Sequence, residues 1–407
     1  MPKPYYLHLT WRDYARCWQD FKDYFEDDDG EAIQRPMRAA LKRMLEQVMR
    51  AELTAHVQAR PRQRTSRRTG HRNGSYCRNL LTTFGLIRML AVPRPRQGRL
   101  PTRLFERYRR RHKAVDNFIR SIFLAGVSTR DTGRVLEDLL DKKVSASTVS
   151  EITRLLDDEV NRFHRRRLSD DYTLLLLDGV WVKVNGYRVV KKAVLVVYGV
   201  RPDGRREVID FRQARSESTT EWESFLNSLY RRGLKGERLE LVTVDGGKGL
   251  LAAQEAVYPE VPRQRCWVHK LRNVGQRLPV RYREACLAGA KRIYQAKSYR
   301  AALKRCRRWA AQWRERAPKA VACLEADIEE LLTHMRVFRN EHKLWVKVRT
   351  TNAIERLFRE LRKRIRPMCS FANPECCNRI VYGLFMLYNK KWEDRRLWQP
   401  RLSTQNS

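Results

Sequence analysis

Asp178, Asp245 and Glu355 are the residues whose types and settings can do chemistry. Asp178 closes the apolar run Leu174 to Leu177 and is followed by Gly179; Asp245 closes Leu241 to Val244 and is followed by Gly246 and Gly247. Short apolar runs bounded by glycine read as buried parallel strands. In open α/β sheets, chemistry gathers beyond the carboxyl ends of such strands. Glu355 starts a basic amphipathic helix and faces away from its apolar stripe of Ile354, Leu357, Phe358, Leu361 and Ile365. Carboxylates of this kind suit Mg²⁺, which takes oxygen ligands, keeps several waters and needs few protein groups. Mn²⁺ is expected to substitute. Two ions about 4 Å apart can activate an attacking oxygen and stabilise a leaving one in phosphoryl displacement. Each acid also has a bland reading. Asp-Gly after a strand is a common turn, and Glu355 could pair with Arg359 at i+4 for only a few tenths of a kcal/mol. The order strand, strand, helix is more specific than any one of them.

Cys266 and His269 form a Cys-x-x-His pair between the second and third acids. The sharper reading places His269 beside the carboxylates, touching a substrate phosphate or a water. The alternative is a buried thiol and a hydrogen-bonded imidazole at a strand-to-helix junction. Structural zinc needs four ligands with local partners, and Cys286, Cys306, Cys323 and the adjacent Cys376 and Cys377 lack that spacing. Trp267, Trp309, Trp313 and Trp345 are expected in the core, with base stacking as the rarer use.

These residues sit in a chain of 407 with 85 Lys and Arg against 46 Asp and Glu, a formal charge of +39. Such an excess calls for a polyanion, and DNA or RNA fits best because neutralised phosphates release counterions. No apolar stretch approaches the ~20 residues a membrane span needs. Hydrophobic content of 42% and ten tryptophans argue for folded domains over a disordered basic coat. No signal peptide is visible, and nine scattered cysteines suit the reducing conditions of a cytosolic or nuclear compartment, so an intracellular protein is expected.

The elements that must position the acids fall into six segments. Residues 1–58 read as helical, and 59–112 as a basic segment with short strands at 79–83 and 86–92. Arg67, Arg68 and Arg72 lie in its Gly- and Arg-rich part and are candidate phosphate contacts. Residues 113–168 give three short helices. Gly126 ends the first and Ser128 caps the second. The third carries Val149, Ile152, Leu155 and Leu156, with Thr148 and Glu151 as a capping box. This punctuation fits a helix-turn-helix module presenting Arg130, Ser145, Ser147, Thr148, Ser150, Glu151 and Arg154 to DNA, or else an ordinary helical hairpin. Residues 169–262 alternate strand, hairpin, helix and parallel strand, the opening order of a ribonuclease-H-like sheet. Residues 263–346 show helices and no convincing strand, and 347–407 return to the core, with Arg356, Arg359, Arg362 and Lys363 as further DNA contacts. The fold class expected is an α/β ribonuclease-H-like catalytic core interrupted by an all-α insertion. A mainly helical DNA-binding region precedes it.

At these positions the chain resembles bacterial insertion-sequence transposases of the Mutator-like class. The resemblance is carried by Asp178 to Lys183, Asp245 to Gly249, Gln264 to Lys270 and Thr350 to Glu355, with shorter matches at Arg72 to Gly74, Leu90 to Arg94, Ala125 to Arg130 and Ser145 to Ser150. Gln-Arg-Cys-x-x-His and Thr-Thr-Asn-x-Ile-Glu are its most specific elements. It implies a DDE triad at Asp178, Asp245 and Glu355, the Cys-x-x-His pair at Cys266 and His269, and a helical insertion between the second and third acids. It also implies Mg²⁺, terminal inverted repeats and target DNA as partners, and a homodimer or higher multimer. After Glu355 the family often has asparagine and three arginines, where this chain has Arg356, Leu357, Phe358 and Arg359. The function expected is metal-dependent strand cleavage and strand transfer; the alternative is a catalytically silent, transposase-derived DNA-binding regulator.

Overall fold

The computed structural model describes residues 34–398 apart from positions 101, 107, 141 and 340; most of the helical segment expected before residue 58 lies outside them. The chain divides into two compact units between Arg154 and Leu155.

In the first unit, α1 (Gln34–Val57) lies on a hairpin of β1 (Arg72–Thr82) and β2 (Gly85–Pro95). Leu41, Leu45, Met49, Leu53 and Val57 recur every four residues, so one stripe of α1 faces the strands and the loop that follows. The strands are longer than the sequence indicates, because Arg72 to Gly74 already belong to β1. Gly74 takes a φ of +64° where the register slips, a conformation open to glycine.

Three helices follow: α2 (Lys113–Leu124), α3 (Thr129–Leu140) and α4 (Ala146–Arg154). They share a core of Val115, Ile119, Leu136, Leu140, Val149 and Ile152. Gly126, at φ +98°, ends the first turn of chain after α2. Ser128 caps α3, accepting from Asp131 N at 3.1 Å and donating to Asp131 Oδ2 at 2.7 Å. The cap of α4 is Ser145, whose Oγ accepts from Thr148 N at 3.2 Å; Thr148 lies inside the helix and does not cap it. The third helix is also shorter than expected. It stops at Arg154, Leu155 is 49% exposed, and Leu156 starts α5 (Leu156–Arg165) in the second unit.

The second unit is built on a five-stranded mixed sheet of order β5-β4-β3-β6-β7. β3 (Leu174–Asn185), β4 (Val189–Val200) and β5 (Arg206–Ala214) are antiparallel, while β6 (Leu241–Val244) and β7 (Arg263–Arg265) run parallel to β3. One face is covered by α6 (Thr219–Arg231) and α7 (Lys248–Val257), through Trp222, Phe225, Leu226 and Leu250 against Leu175, Leu177 and Val242. On the other, Phe385 of α16 (Pro374–Trp392) stacks edge-on to Phe211 at 5.4 Å.

Helices occupy most of 266–348: α8 (Trp267–Gln276), α9 (Val280–Tyr294), α10 (Tyr299–Trp313), α11 (Pro318–Glu325), α12 (Ile328–Leu331), α13 (Thr333–Val337) and α14 (His342–Val348). The strand β7 at their head corrects the expectation of no strand there. Arg-Gln-Arg is too short and polar to show periodicity; it becomes a strand by pairing its backbone with Val242 to Val244. An ion-pair network then fixes the helices to it. Arg263 meets Glu330 at 2.7 Å, Arg265 meets Asp327 at 2.9 Å, and Lys270 pairs with Asp327. Trp267, Trp309, Trp313 and Trp345 are buried, and the indoles of Trp267, Trp309 and Trp345 donate to the carbonyls of Leu331, Cys286 and Phe338. Among the described residues no helix is long and apolar enough to cross a membrane.

Candidate active site

The parallel pairing of β3 with β6 aligns Leu177 with Val244, so Asp178 and Asp245 are the next residues on neighbouring strands. Asp178 is 3% exposed. Its Oδ1 accepts from Gly179 N at 2.9 Å, while its Oδ2 is buried without a partner. Burial pushes its carboxyl up to about 7, with His269 opposing the rise and Asp245 adding to it. Asp245 Oδ1 accepts from Gly247 N at 2.8 Å. Between them Gly246 sits at φ +96°, and a Cβ there would fall 2.3 Å from Arg265 Nη2, so only glycine fits this turn.

Glu355 lies in the first turn of α15 (Asn352–Met368), where the helix dipole favours a carboxylate. Its partners are His269 Nε2 at 3.7 Å and Arg362 Nη1 at 3.6 Å, one turn beyond the expected Arg359. His269 first, and Arg362 after it, hold the Glu355 carboxyl below its usual range. The beginning of α15 is itself tethered. Thr351 N and Oγ1 both reach Cys266 Sγ, at 3.4 and 3.5 Å, and Trp267 N donates to Arg349 O at 3.1 Å. Cys266 thus ties the start of α8, which carries His269, to the start of α15, which carries Glu355.

One ligand atom each from Asp178, His269 and Glu355 lie within 4.8 Å of one another, the one such cluster among the described residues that could hold a metal ion. Cys266 is not in it. Asp245 stands outside this tightest group but is close enough to raise Asp178. The Cys266 thiol and the Glu355 carboxylate raise the His269 imidazole to about 10, so it is a cation at neutral pH.

One acid escaped the sequence reading. Glu217, just ahead of the N-cap Ser218 of α6, lies over Gly179, where a Cβ would come within 2.9 Å of its Oε1. Burial raises its carboxyl, Asp245 adds to that, and His269 opposes it. The signal available was an acid at the head of the first helix after the three antiparallel strands. Its backbone is pressed against α7, since a Cβ on Gly249 would meet Glu217 O at 2.4 Å. Gly249→Ala is therefore expected to destabilise the protein by about 1–3 kcal/mol, the usual cost of overpacking. Thermal unfolding checks it, and an unchanged Tm would show that the two helices can separate freely.

Residues 18–395 match the profile of the Mutator family of transposases. The chain belongs to that family. It is 36% identical to the transposase for insertion sequence element ISRM5 of Rhizobium meliloti over 321 residues, 79% of each chain. To the transposase for IS256 in transposon Tn4001 of Staphylococcus aureus it is 33% identical, covering 79% of this chain and 81% of the other. To that for IS406 of Burkholderia multivorans it is 34% identical, covering 79% and 82%.

In this transposase the candidate DNA contacts divide by what already holds them. Arg356, Arg359, Arg362 and Lys363 are exposed on α15, Arg362 paired with Glu355 and Lys363 with Glu360. Arg130, Ser147 and Arg154 are exposed, Ser150 is half-buried on α4, and Ser145 and Thr148 are engaged in the cap. In the basic segment Arg67 is exposed, whereas Arg68 donates to Gly70 O at 2.8 Å. Arg72 donates to Ala59 O at 2.7 Å and Thr54 Oγ1 at 3.0 Å, which fastens β1 to the chain leaving α1.

Proposed function

We propose that this transposase cuts and rejoins DNA at a divalent-cation centre formed by Asp178, Asp245 and Glu355. The observation that carries the reading is Asp178 Oδ2. It is an unpartnered oxygen on a nearly buried carboxyl, beside His269 and Glu355, midway along β3 at the level where the neighbouring β6 gives way to Asp245. Asp178, Asp245, Glu217 and Glu355 gather more negative charge than His269 alone offsets, and burying carboxylates without such an offset is costly, so these residues fit a cation. Mg²⁺ is the ion we favour for the oxygen ligands offered, with Mn²⁺ as substitute. When bound, the ion supplies activation of the attacking oxygen and stabilisation of the leaving one.

The protein's own part is to place charge. Asp178, Asp245 and Glu355 would hold the cation, whose charge would offset theirs and let the scissile phosphate approach. His269, as an imidazolium, donates to a phosphate oxygen or a bound water, while Cys266 and Thr351 hold the two helix starts in place. Water attacks the phosphodiester at the element boundary first, and the freed 3′ hydroxyl attacks target DNA by the same in-line displacement. We read the sheet as ribonuclease-H-like, supported by three antiparallel strands followed by two parallel ones. We read α2 to α4 as a helix-turn-helix module, supported by their shared core and the open face of Ser147, Glu151 and Arg154. A dimer or higher multimer would hold two inverted ends together.

The test is cleavage of a plasmid carrying the gene with its native flanks. Cuts mapping to both flank ends in Mg²⁺ and absent in EDTA support the reading. Specific binding at the flanks with no cutting under any divalent cation would favour the silent regulator.

A further inference from the structure

Of the described tryptophans, Trp181 is the exposed one, at 50%, and it lies on β3 three residues beyond Asp178. Its setting is a ribbon that outruns the sheet. β6 pairs with β3 only as far as Leu177, and β5 pairs with β4 only from Ala193 onward. From Trp181 to Asn185 and Val189 to Lys192 the chain is therefore essentially two-stranded. One face of this ribbon, Val180, Val182 and Val184, is buried. Its β3 edge is held by Phe371, whose N donates to Lys183 O at 2.9 Å and whose O accepts from Asn185 N at 2.8 Å.

The opposite face is uncovered. It presents Trp181, Lys183, Lys191 and Val189, with Tyr187 at the tip fully open to solvent. Lys183 and Lys191 are cross-strand partners, and neither has an ion pair among the described residues. Like charges directly opposite on a strand pair destabilise it. A ribbon already thin for its length thus keeps an unfavourable pair beside an exposed indole, on the face of β3 opposite to Asp178, where Glu217 over Gly179 connects it to the carboxylate site. The Trp181 side chain lies close enough to Glu217 to favour its carboxylate.

We propose that this face is a bed for the DNA strand next to the cleaved phosphate, with Trp181 stacking on an unpaired base and Lys183 and Lys191 gripping one phosphate. Trp181 lies roughly 10 Å along the strand from Asp178 and on the other face, so a DNA strand a few nucleotides long at ~3.4 Å each reaches both by crossing the sheet at Gly179, which has no side chain there. The charge is complementary, and every base has a face an indole can stack on, so the bed reads no sequence. The inference rests on Asp178 marking the cleavage centre.

The experiment compares blunt duplex with duplex bearing a short single-stranded tail that carries 2-aminopurine, bound in EDTA. Wild type is expected to prefer the tail and quench its fluorescence. Trp181→Ala should lose roughly tenfold of that preference, with blunt-duplex affinity little changed and Trp181→Phe retaining most of the tail preference. Lys183→Gln with Lys191→Gln should lower the salt slope of binding by about one or two while Tm holds or rises as the repulsion is removed. A tail preference equal in wild type and Trp181→Ala would overturn the proposal. So would a change of oligomeric state with tail binding intact, which would make the face an interface between copies. Asp178→Asn leaves the ribbon untouched and keeps the tail signal, so a failure of the carboxylate reading shows itself separately, as cutting that survives that substitution.

Discussion

Asp178→Asn is expected to leave the transposase folded and able to bind DNA while strand cleavage falls on the order of a thousandfold, about 4 kcal/mol of transition-state stabilisation. The substitution keeps volume and the acceptor for Gly179 N and removes the charge at the one oxygen left buried without a partner. DNA affinity comes from Lys and Arg elsewhere, so binding and cutting separate. Stability should move the opposite way from activity. Burial raises the Asp178 carboxyl from 3.8 to about 7, so the folded state holds this proton more tightly than the unfolded chain does. Its contribution is present at low pH and is lost as pH rises through that window. Above it, in the absence of divalent cation, the Asn protein should melt higher than wild type. Adding Mg²⁺ or Mn²⁺ should raise the wild-type Tm by linkage and the variant's far less. A variant that still cuts at the flanks, or that melts lower than wild type in EDTA above neutral pH, would remove Asp178 from the centre.

Much of this arrangement was legible in the chain because it rests on local patterns. Four leucines ending in Asp-Gly, and Leu-Val-Thr-Val ending in Asp-Gly-Gly, specify two buried strands, but only β6 stops at its acid; β3 runs on through Asp178 to Asn185, because pairing with β4 carries it past the glycine. Their register, Leu177 against Val244, needed the fold. Glu355 was visible from the stripe of α15, and the Cys-x-x-His pair already placed His269 beside the carboxylates; Arg362 was not visible as its partner, since i+4 spacing pointed to Arg359. What stayed hidden was set by tertiary contact. β7 has no apolar pattern and exists through its pairing. Glu217 is an unremarkable surface-type acid until Gly179 and Gly249 let it close on the strand end. The sequence pointed to Thr148 as the cap of the third helix, whereas the helix begins at Ala146 and Ser145 caps it. Trp181 gave no sign either: alternation marks it as outward-facing, but not that neighbouring strands stop short and leave it open.

His269→Ala carries the second large effect, a fall in cleavage of roughly a hundredfold with DNA binding preserved. The imidazole sits 3.7 Å from Glu355 and within the cluster that includes Asp178. Cys266 and Glu355 raise it to about 10, so it stays charged across the neutral range and adds no titration step there. Its loss acts through its neighbour. His269 is the first cause holding the Glu355 carboxyl low, and without it that carboxyl rises towards its ordinary value. The acid limb of the pH–rate profile, set by Asp178 as the higher of the two carboxyls and likewise held down by His269, should therefore move to higher pH in His269→Ala, a change that slack packing alone would not produce. Cys266→Ser is the matching control. Its oxygen can still accept from Thr351, so it should cut far better than His269→Ala and keep the acid limb closer to wild type. Undiminished cleavage in His269→Ala would return the Cys-x-x-His pair to a purely structural junction between α8 and α15.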